Sequence, residues 1–291
     1  MLKKMTKTNF FENRTICVFG GTGTIGSLII EYLLKQQPSS IRVFSNDENS
    51  LWEKEQEWNS DKLRFLLGDI RDYRRVLRAV RNTDYVFNSA AIKHVSKAEY
   101  NPIEAVNTNI LGLDNIIEAC ISANVKKLLH ISTDKACEPI CVMGYTKAIG
   151  ERIMQTRWIQ NPTFDMVSVR LGNVLGSRGS IIPIVRDLIE QNKPITITDS
   201  NMVRYFMKEN EVVDFIMKAF IEGNHADIWI PKLKEELLID VLEREFKISE
   251  KEVIFIGKRK GEKLKEILIS QDELEDAQSE KEYWILKNTY D

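Results

Sequence analysis

The chain has 291 residues, of which 43% are hydrophobic and 29% are charged, and its formal net charge at pH 7 is −2. This size supports one large α/β domain with or without a smaller lobe, and the charge excludes a general attraction to nucleic acid or anionic membranes. No apolar run reaches the ~18 residues of a membrane-spanning helix. The basic start at residues 1–7 is not followed by the apolar segment of a signal peptide. We therefore expect a cytoplasmic protein without nucleic-acid or membrane partners.

The four cysteines, Cys17, Cys120, Cys137 and Cys141, show no spacing that is typical of a redox or zinc site. The three histidines are scattered along the sequence. We interpret the cysteines as free thiols in a reducing compartment, and we expect no metal site.

The first part of the chain alternates short apolar runs with stretches of helical periodicity. The apolar runs predict strands at residues 15–19, 41–45, 63–67, 85–88, 127–132 and 164–171. The periodic stretches predict helices at residues 25–36, 73–80, 102–123 and 143–160. This alternation is typical of a Rossmann-type α/β fold with a doubly wound parallel sheet. We expect residues 1–172 to form a dinucleotide-binding domain.

After Gly172 the elements become shorter. Gly176, Gly179 and Pro183 predict a loop. Short strands are predicted at residues 195–197, 228–230 and 253–256, and helices at 209–222 and 239–246. We expect residues 173–291 to form mainly a smaller C-terminal α/β lobe that binds substrate, with some chain returning to the sheet.

A glycine-rich segment, Gly20 to Gly26, follows the first predicted strand and opens the first predicted helix. It fits the pattern G-x-x-G-x-x-G, in which glycines permit a tight turn and let a pyrophosphate approach the helix N–H groups. Its position at the first strand–helix junction makes an ordinary glycine turn the weaker interpretation. The residues expected to contact the cofactor here are Gly20, Thr22, Gly23, Thr24 and Ile25.

The ends of the next strands supply further cofactor candidates, because ligands of such sheets bind at the carboxyl edge. NAD-selective sites usually carry an acid at the end of the second strand, whereas Ser45 occupies that end here. Ser45 does not repel a 2′-phosphate, so we predict NADP. NAD stays open because Asp47 and Glu48 follow closely. The other candidates for cofactor contact are Asn46, Asp69, Ile70, Ala90, Ala91 and Lys93.

Polar residues cluster where the fifth predicted strand ends, at Ser132-Thr133-Asp134-Lys135, and Lys147 follows on the next predicted helix. On an ordinary surface, Asp134 and Lys135 would form an ion pair of little consequence. Beside a dinucleotide they are candidate catalytic residues. Lys147 is placed to reach the nicotinamide ribose and to lower the pKa of a nearby hydroxyl.

These segments resemble those of nucleotide-sugar 4,6-dehydratases within the extended short-chain dehydrogenases. In particular they resemble the UDP-N-acetylglucosamine 4,6-dehydratases of polysaccharide and protein-glycan biosynthesis. The resemblance covers nearly the whole chain. The matching segments are residues 20–26, 44–48, 68–72, 90–95, 99–102, 132–136, 172–180, 204–207 and 261–264.

The resemblance implies a lyase that oxidises C4 of UDP-GlcNAc, removes the C5 proton with loss of the C6 hydroxyl, and returns the hydride to C6. It implies that Lys135 is the base at C5 and Asp134 the acid at C6. It also implies a tightly bound, recycled NADP or NAD, a UDP-sugar substrate and a homo-oligomer. The candidates for substrate binding are Lys93, Asn173, Arg178, Ser180, Arg204, Arg259 and Glu262.

Two departures from the family pattern stand out. Many members carry a Tyr four residues before the helical Lys, and that Tyr takes the C4 hydroxyl proton, whereas this chain resembles a branch with Met143 there. Met cannot transfer a proton, so Asp134, Thr133 and a water held by Lys147 are the three candidates for that step. Asn46 stands where an Arg that grips a 2′-phosphate is common, which counts against NADP.

Other functions stay open at this point. A UDP-sugar 4-epimerase or 4-ketoreductase would share the fold, although such enzymes usually need the missing Tyr. A non-catalytic nucleotide-binding regulator is the remaining alternative, and the intact Asp134, Lys135 and Lys147 count against it. Retention and inversion of configuration at C5 are both open.

Overall fold

A nine-stranded sheet runs through the protein, and a computed structural model describes residues 10–288 of the chain. The basic start at residues 1–7 lies outside the described residues. The described strands are β1 (Thr15–Phe19), β2 (Ser40–Ser45), β3 (Leu63–Leu67), β4 (Tyr85–Asn88), β5 (Lys127–Thr133), β6 (Asp165–Leu171), β7 (Asn173–Val174), β8 (Ile195–Ile197), β9 (Val203–Met207), β10 (Asp227–Pro231), β11 (Glu235–Leu237), β12 (Val253–Phe255), β13 (Gln278–Ser279) and β14 (Tyr283–Leu286).

The helices lie between these strands and cover both faces of the sheet. They are α1 (Thr24–Leu34), α2 (Glu48–Trp58), α3 (Tyr73–Val80), α4 (Val95–Tyr100), α5 (Pro102–Val106), α6 (Gly112–Ser122), α7 (Val142–Gln160), α8 (Ile181–Glu190), α9 (Glu209–Glu222), α10 (Leu238–Phe246) and α11 (Gln271–Asp276).

The order of strands in the main sheet is β13-β14-β10-β6-β5-β4-β1-β2-β3. The pairs from β10 to β3 are parallel, and β14 runs antiparallel to both β10 and β13. This confirms the predicted Rossmann-type α/β fold. The chain order reverses beside β1, where β4 lies on the other side from β2, and such a switch point is where ligands of these sheets bind.

Each face of the sheet buries its own apolar cluster. On one face α1 and α9 contribute Ile29, Ile30 and Phe220, and on the other α3 and α6 contribute Val76 and Ile116. All five side chains are fully buried. The strands between these helices are continuous apolar runs because helices cover the sheet on both faces. These apolar runs are the feature from which the strands were predicted.

The chain after residue 172 contributes three strands to the main sheet, β10, β13 and β14, and one helix, α9, that packs on α1. The other strands of this region form two small sheets, β11-β9-β7 and β12-β8. The apolar sides of α8 and α10 pack with β8 in a separate cluster that includes Val185, Ile197 and Leu242. The three-stranded sheet begins at the carboxyl end of β6, because β7 follows β6 after one residue.

Nine of the described helices and strands were not predicted, namely α2, α4, α8, α11, β7, β9, β11, β13 and β14. Helix α2 was not predicted, because its apolar residues are few and its mean hydropathy is low. The predicted helix at 102–123 consists of α5, a π-helical turn at Asn107–Leu111, and α6. The predicted loop around Pro183 is wrong in part, since α8 begins at Ile181 and a proline in the first helical turn removes no hydrogen bond.

In the part of the chain that the structure describes, no helix combines the length and the apolar character needed to cross a bilayer. All four cysteines are buried free thiols in the structure.

We predict that Phe87→Ala lowers the free energy of unfolding by about 3–5 kcal/mol. Phe87 is fully buried in β4, and its ring stacks on that of Phe220 with a centroid separation of 4.4 Å. Urea denaturation measures the change. Trp52→Ala serves as the control, because Trp52 is 64% exposed and its loss should change stability by less than about 0.5 kcal/mol. Equal effects of the two substitutions would contradict this packing.

Candidate active site

The glycine-rich loop between β1 and α1 is folded tightly against its neighbours. The Gly20 and Gly21 N–H groups donate to the Phe44 carbonyl at 2.9 and 3.1 Å. Gly20 has a φ of +71°, and a Cβ there would lie 2.7 Å from the backbone nitrogen of Ala90. At Gly26 an added Cβ would lie 2.2 Å from the Gly20 carbonyl oxygen. Only glycine fits at these two positions.

Helix α1 begins directly after this loop, at Thr24, and no side chain caps its first N–H groups. Uncapped N–H groups at a helix start are a ready site for a phosphate. The tightly packed glycine loop has no side chains at Gly20 and Gly26. Together with this helix start, it therefore fits the pyrophosphate of a dinucleotide. The residues around it are those predicted from the motif: Gly20, Thr22, Gly23, Thr24 and Ile25.

The end of β2 is occupied by hydroxyl groups. Ser45 is buried, and its Oγ lies 2.9 Å from Thr22 Oγ1 and accepts the Asp47 N–H at 3.2 Å. The Asp47 carboxylate accepts hydrogen bonds from Ser50 and caps α2, and the Ser50 hydroxyl is the main reason why the pKa of Asp47 is lowered. Asn46 beside it is exposed.

The loops after β3 and β4 contain the other predicted cofactor residues. Asp69 forms an ion pair with Arg71 at 2.6 Å. Ile70 is buried against Gly112, where an added Cβ would lie 2.7 Å from the Ile70 side chain. The Ala90 N–H donates to the Asn88 side chain at 3.1 Å. These loops are therefore held by their own contacts at the carboxyl edge of the sheet.

A buried asparagine that we did not predict fixes the loop after β4. Asn109 lies in the π-helical turn and accepts the Ile92 N–H at 2.8 Å. Its amide donates to the Ile92 carbonyl at 3.0 Å and to Thr146 Oγ1 at 2.9 Å. Asn109 thereby ties this loop to α7. No distinct signal in the sequence marked Asn109, because Asn107 and Asn115 lie in the same helical stretch, and only its burial shows that it needs these partners.

Thr133, Asp134 and Lys135 meet where β5 ends in a 3₁₀ turn. Asp134 is 1% exposed, and its Oδ1 accepts hydrogen bonds from Thr133 Oγ1 at 2.8 Å and from Lys135 Nζ at 3.0 Å. Asp134 Oδ2 is buried and has no partner among the described residues. The structure thus places an acid and an amine side by side, with one carboxylate oxygen available.

A second carboxylate that sequence analysis missed also faces Lys135. Glu266 is 2% exposed, and its Oε1 lies 3.4 Å from Lys135 Nζ. Burial lowers the pKa of Lys135, but Asp134 and Glu266 raise it more, so the net shift is upward. Glu266 lies two residues after the segment 261–264. Its contact with Lys135 joins residues that are far apart in the chain, so no local sequence pattern indicated it.

Lys147 and Met143 lie on the first turns of α7. Lys147 is buried and its Nζ donates to the Ile131 carbonyl at 2.7 Å. Burial lowers the pKa of this amine to about 8, although Glu151 opposes the shift. Met143 is buried in an apolar cluster with Cys141 and others. Tyr145, two residues further along the helix, is 52% exposed.

The predicted substrate residues divide into two groups. In the first, Arg178 lies over the glycine-rich loop: its guanidinium donates to the Thr22 carbonyl, its N–H donates to Thr24 Oγ1 at 3.1 Å, and Lys93 Nζ donates to its carbonyl at 2.6 Å. Asn173 Oδ1 and Ser180 Oγ are buried without partners among the described residues. Arg178 and Lys93 are thus joined to the glycine-rich loop, and Asn173 and Ser180 each keep one oxygen unpaired.

In the second group, the donors are used within the protein. Arg204 is buried, and its guanidinium donates to the carbonyls of Val203, Lys263 and Leu264 at 2.7–3.0 Å. Glu262 accepts from Thr198 Oγ1 at 3.1 Å and from the Arg259 N–H at 3.2 Å, and the Arg259 side chain is exposed. Arg204 therefore holds the segment that carries Glu262.

The fold and this site define a class, the extended short-chain dehydrogenases that include nucleotide-sugar dehydratases and epimerases. Within it, the chain belongs to the family described as polysaccharide biosynthesis protein, whose profile matches residues 16–288.

Individual proteins are similar over nearly the whole chain. A protein of Methanocaldococcus jannaschii named as an uncharacterized membrane protein is 42% identical over 280 residues, which cover 92% of this chain and 84% of that one. A UDP-glucose 4-epimerase of Rickettsia rickettsii is 38% identical, with 94% and 83% covered. The X-ray structure of Pen from Bacillus thuringiensis superimposes with a TM-score of 0.91 at 37% identity, covering 96% of this chain and 88% of that one.

We predict that Gly20→Ala weakens dinucleotide binding at least about tenfold, because the methyl group displaces Ala90 and the loop above it. Titration of NAD and NADP by calorimetry measures the loss. Gly257→Ala is the matched control: Gly257 has a φ of +81°, so the substitution causes similar backbone strain, but nothing lies within 4 Å of the added Cβ. Equal affinities of the two variants would show that the loop does not hold the dinucleotide.

We predict that the stability contributed by Lys147 rises with pH. Burial lowers its pKa from the ordinary 10.5 to about 8, so below that pH the folded chain has a buried charge, which destabilises it. Above about pH 8 the folded chain loses the proton before the unfolded chain does, and the penalty falls. The unfolding free energy of wild type relative to Lys147→Met should therefore increase between about pH 8 and pH 10. A difference independent of pH would contradict the shift.

Proposed function

We propose that the protein is a nucleotide-sugar 4,6-dehydratase that converts UDP-GlcNAc to a UDP-4-keto-6-deoxy-HexNAc. The observation that supports this proposal most is the adjacent pair Asp134 and Lys135 at the carboxyl end of β5, on the same edge of the parallel sheet as the glycine-rich loop after β1. The chain's membership of a family of polysaccharide biosynthesis proteins agrees with it.

The proton balance of this reaction explains why an acid and an amine are needed together. The C4 hydroxyl and C5 each lose a proton, while the departing C6 hydroxyl and, later, C5 each gain one. The site must therefore remove and return protons at neighbouring carbons while the same sugar molecule stays bound. Asp134 and Lys135 are adjacent in the chain and 3.0 Å apart at their charged atoms, so they can act on adjacent carbons of one bound sugar.

In the proposed roles, Lys135 is the base at C5, and Asp134 is the acid that protonates the departing C6 hydroxyl. The buried Oδ2 atom of Asp134 has no hydrogen-bond partner among the described residues. Thr133 donates to the other oxygen, Oδ1, and so orients the carboxyl group. The proton of the C4 hydroxyl passes to Asp134, to Thr133 or to a water held by Lys147, because the buried Met143 has no proton to exchange.

The groups around the glycine-rich loop fit a nicotinamide dinucleotide, which supplies reversible hydride transfer when it is bound. Gly20, Thr22 and the start of α1 would hold its pyrophosphate, and Ser45 would meet the adenosine ribose. Lys147 would reach the nicotinamide ribose from α7. Its buried amine, with a pKa near 8, can release or accept a proton at physiological pH.

Arg178 is the proposed contact for the UDP diphosphate, because its guanidinium already lies at the mouth of the site over Thr22. Asn173 and Ser180 would pair with the sugar or the nucleotide through their unpaired oxygens. Arg204 is not proposed for this role, because three backbone carbonyls use its donors.

A second candidate is a UDP-sugar 4-epimerase, which is favoured by the 38% identity with a protein named UDP-glucose 4-epimerase. Epimerisation also begins with oxidation at C4, but it needs neither a base at C5 nor an acid at C6. Lys135 would then have no proton to remove at C5, and Asp134 would serve at most at the C4 hydroxyl. Mass distinguishes the two reactions, because an epimer has the mass of its substrate.

We predict that incubation with UDP-GlcNAc gives a product lighter by one water, without stoichiometric consumption of added NAD or NADP. Mass spectrometry of the nucleotide sugar and absorbance of the reduced cofactor measure the two quantities. A product of unchanged mass would favour the epimerase, and stoichiometric oxidation of added NADPH by a UDP-ketosugar would favour a ketoreductase. Binding of the dinucleotide with no change in any UDP-sugar would favour a regulator.

We predict that Lys135→Ala reduces C5 exchange in deuterated water by at least about a hundredfold, the scale of a lost general base. Deuterium at C5 is measured by mass spectrometry of the recovered sugar. Lys281→Ala is the control, because Lys281 is exposed. Normal exchange in Lys135→Ala would remove the role assigned to this amine.

A further inference from the structure

We propose that Glu266 is a positioning residue of the active site, which holds the Lys135 amine together with Asp134 and determines the charge state in which that amine meets the sugar. This inference rests on the proposed function only in naming Lys135 as the base at C5. The placement of Glu266 itself comes from contacts in the fold.

Lys135 Nζ lies between two buried carboxylates. It is 3.0 Å from Asp134 Oδ1 and 3.4 Å from Glu266 Oε1, and the two acids are 1% and 2% exposed. Glu266 Oε2 is buried and accepts no hydrogen bond from the described residues, since Lys263 Nζ stands 3.9 Å away. A carboxylate that is so buried would cost stability without a cationic partner, and Lys135 is the nearer of its two amines.

The segment that carries Glu266 is fixed on both sides of it. Before Glu266, the Lys263 amine donates to the Cys137 carbonyl at 2.8 Å, and Arg204 donates to the Lys263 and Leu264 carbonyls. After it, Arg170 donates to the Leu268 carbonyl at 3.0 Å. Glu266 is therefore held at β5 by four backbone anchors, which is the arrangement expected of a residue that must keep its distance to another.

The chemical effect of Glu266 follows from charge. When Lys135 takes the C5 proton it becomes an ammonium ion in a buried place, and two carboxylates stabilise that ion better than one. The same charges reduce the fraction of free amine at neutral pH. Glu266 thus increases the affinity of the Lys135 amine for a proton. It also lowers the fraction of Lys135 that is unprotonated at neutral pH.

The charged and titratable groups that face Lys135 are few and can be named. They are Asp134 on its own turn, Glu266, Arg204 on β9 and the Cys141 thiol before α7. Burial and Arg204 lower the pKa of Lys135, and the two carboxylates raise it, with a net upward shift. Removal of one carboxylate should therefore move the Lys135 titration to lower pH.

The test is a pH titration of Lys135 in the full chain labelled with ¹³C at lysine Cε, with its NMR signal assigned by Lys135→Arg. In Glu266→Gln we expect the midpoint to fall by about one pH unit, the scale of a lost opposite charge within ~4–6 Å. The matched control, Glu275→Gln, changes an exposed carboxylate of the same region and should leave the midpoint unchanged. An unchanged midpoint in Glu266→Gln would overturn the proposal. Glu266→Met, which fills the same space without charge, gives the same expected shift if the Gln variant does not fold.

A second readout separates this inference from the proposed function. In wild type, C5 exchange in deuterated water should rise with pH, and in Glu266→Gln the rise should begin about one pH unit lower. A purely structural role for Glu266 would lower the rate without moving the profile, and so would contradict the proposal. If wild type shows neither water loss nor exchange, the proposed function fails, while the Lys135 titration still decides the role of Glu266.

Discussion

The buried guanidinium of Arg170 joins the parts of the molecule on which the site depends. From β6 it binds Glu151 of α7 and Glu273 of α11 at 2.7–2.8 Å. Glu151 in turn accepts a 2.6 Å hydrogen bond from Ser132, one residue before Thr133. These carboxylates offset the burial of the Arg170 charge and raise its pKa well above the ordinary value. Removal of Arg170 would leave the buried carboxylate of Glu151 without a cation, which is strongly destabilising.

This ion-pair network explains how distant segments of the chain reach one place. The parallel register of β4, β5 and β6 brings Asn88 beside His130 and places Thr133 beside Leu171. The network then attaches the chain around Leu268 and Glu273 to that edge. Asp134 and Lys135, in the turn after β5, thus meet the distant Glu266, and Lys147 of α7 meets the Ile131 carbonyl of β5.

Local patterns in the sequence predicted the parallel strands of the main sheet and the glycine-rich loop. Parallel strands covered on both faces are short apolar runs, which can be recognised in the sequence. Gly20 can be recognised too, because its positive φ and its close neighbour both require a glycine. The π-helical turn at Asn107–Leu111 left no such signature, because its apolar spacing is helical.

The remaining part of the site could not be predicted because it depends on tertiary contacts. The family resemblance made Arg204 a candidate for substrate binding, and only the structure shows that its guanidinium donates to three backbone carbonyls. Nothing local distinguishes Glu266 from the many other acids of the chain. Its proximity to Lys135 results from the anchors on either side of it.

The most direct test of the central claim, that Asp134 and Lys135 dehydrate a UDP-sugar, is proton NMR of UDP-GlcNAc incubated with the protein. We predict that the signal of H4 disappears and that the C6 hydroxymethyl group becomes a methyl group, with the UDP signals unchanged. The coupling of H5 in the same spectrum reports the configuration at C5. A product that retains its C6 hydroxymethyl group, with or without inversion at C4, would contradict the claim.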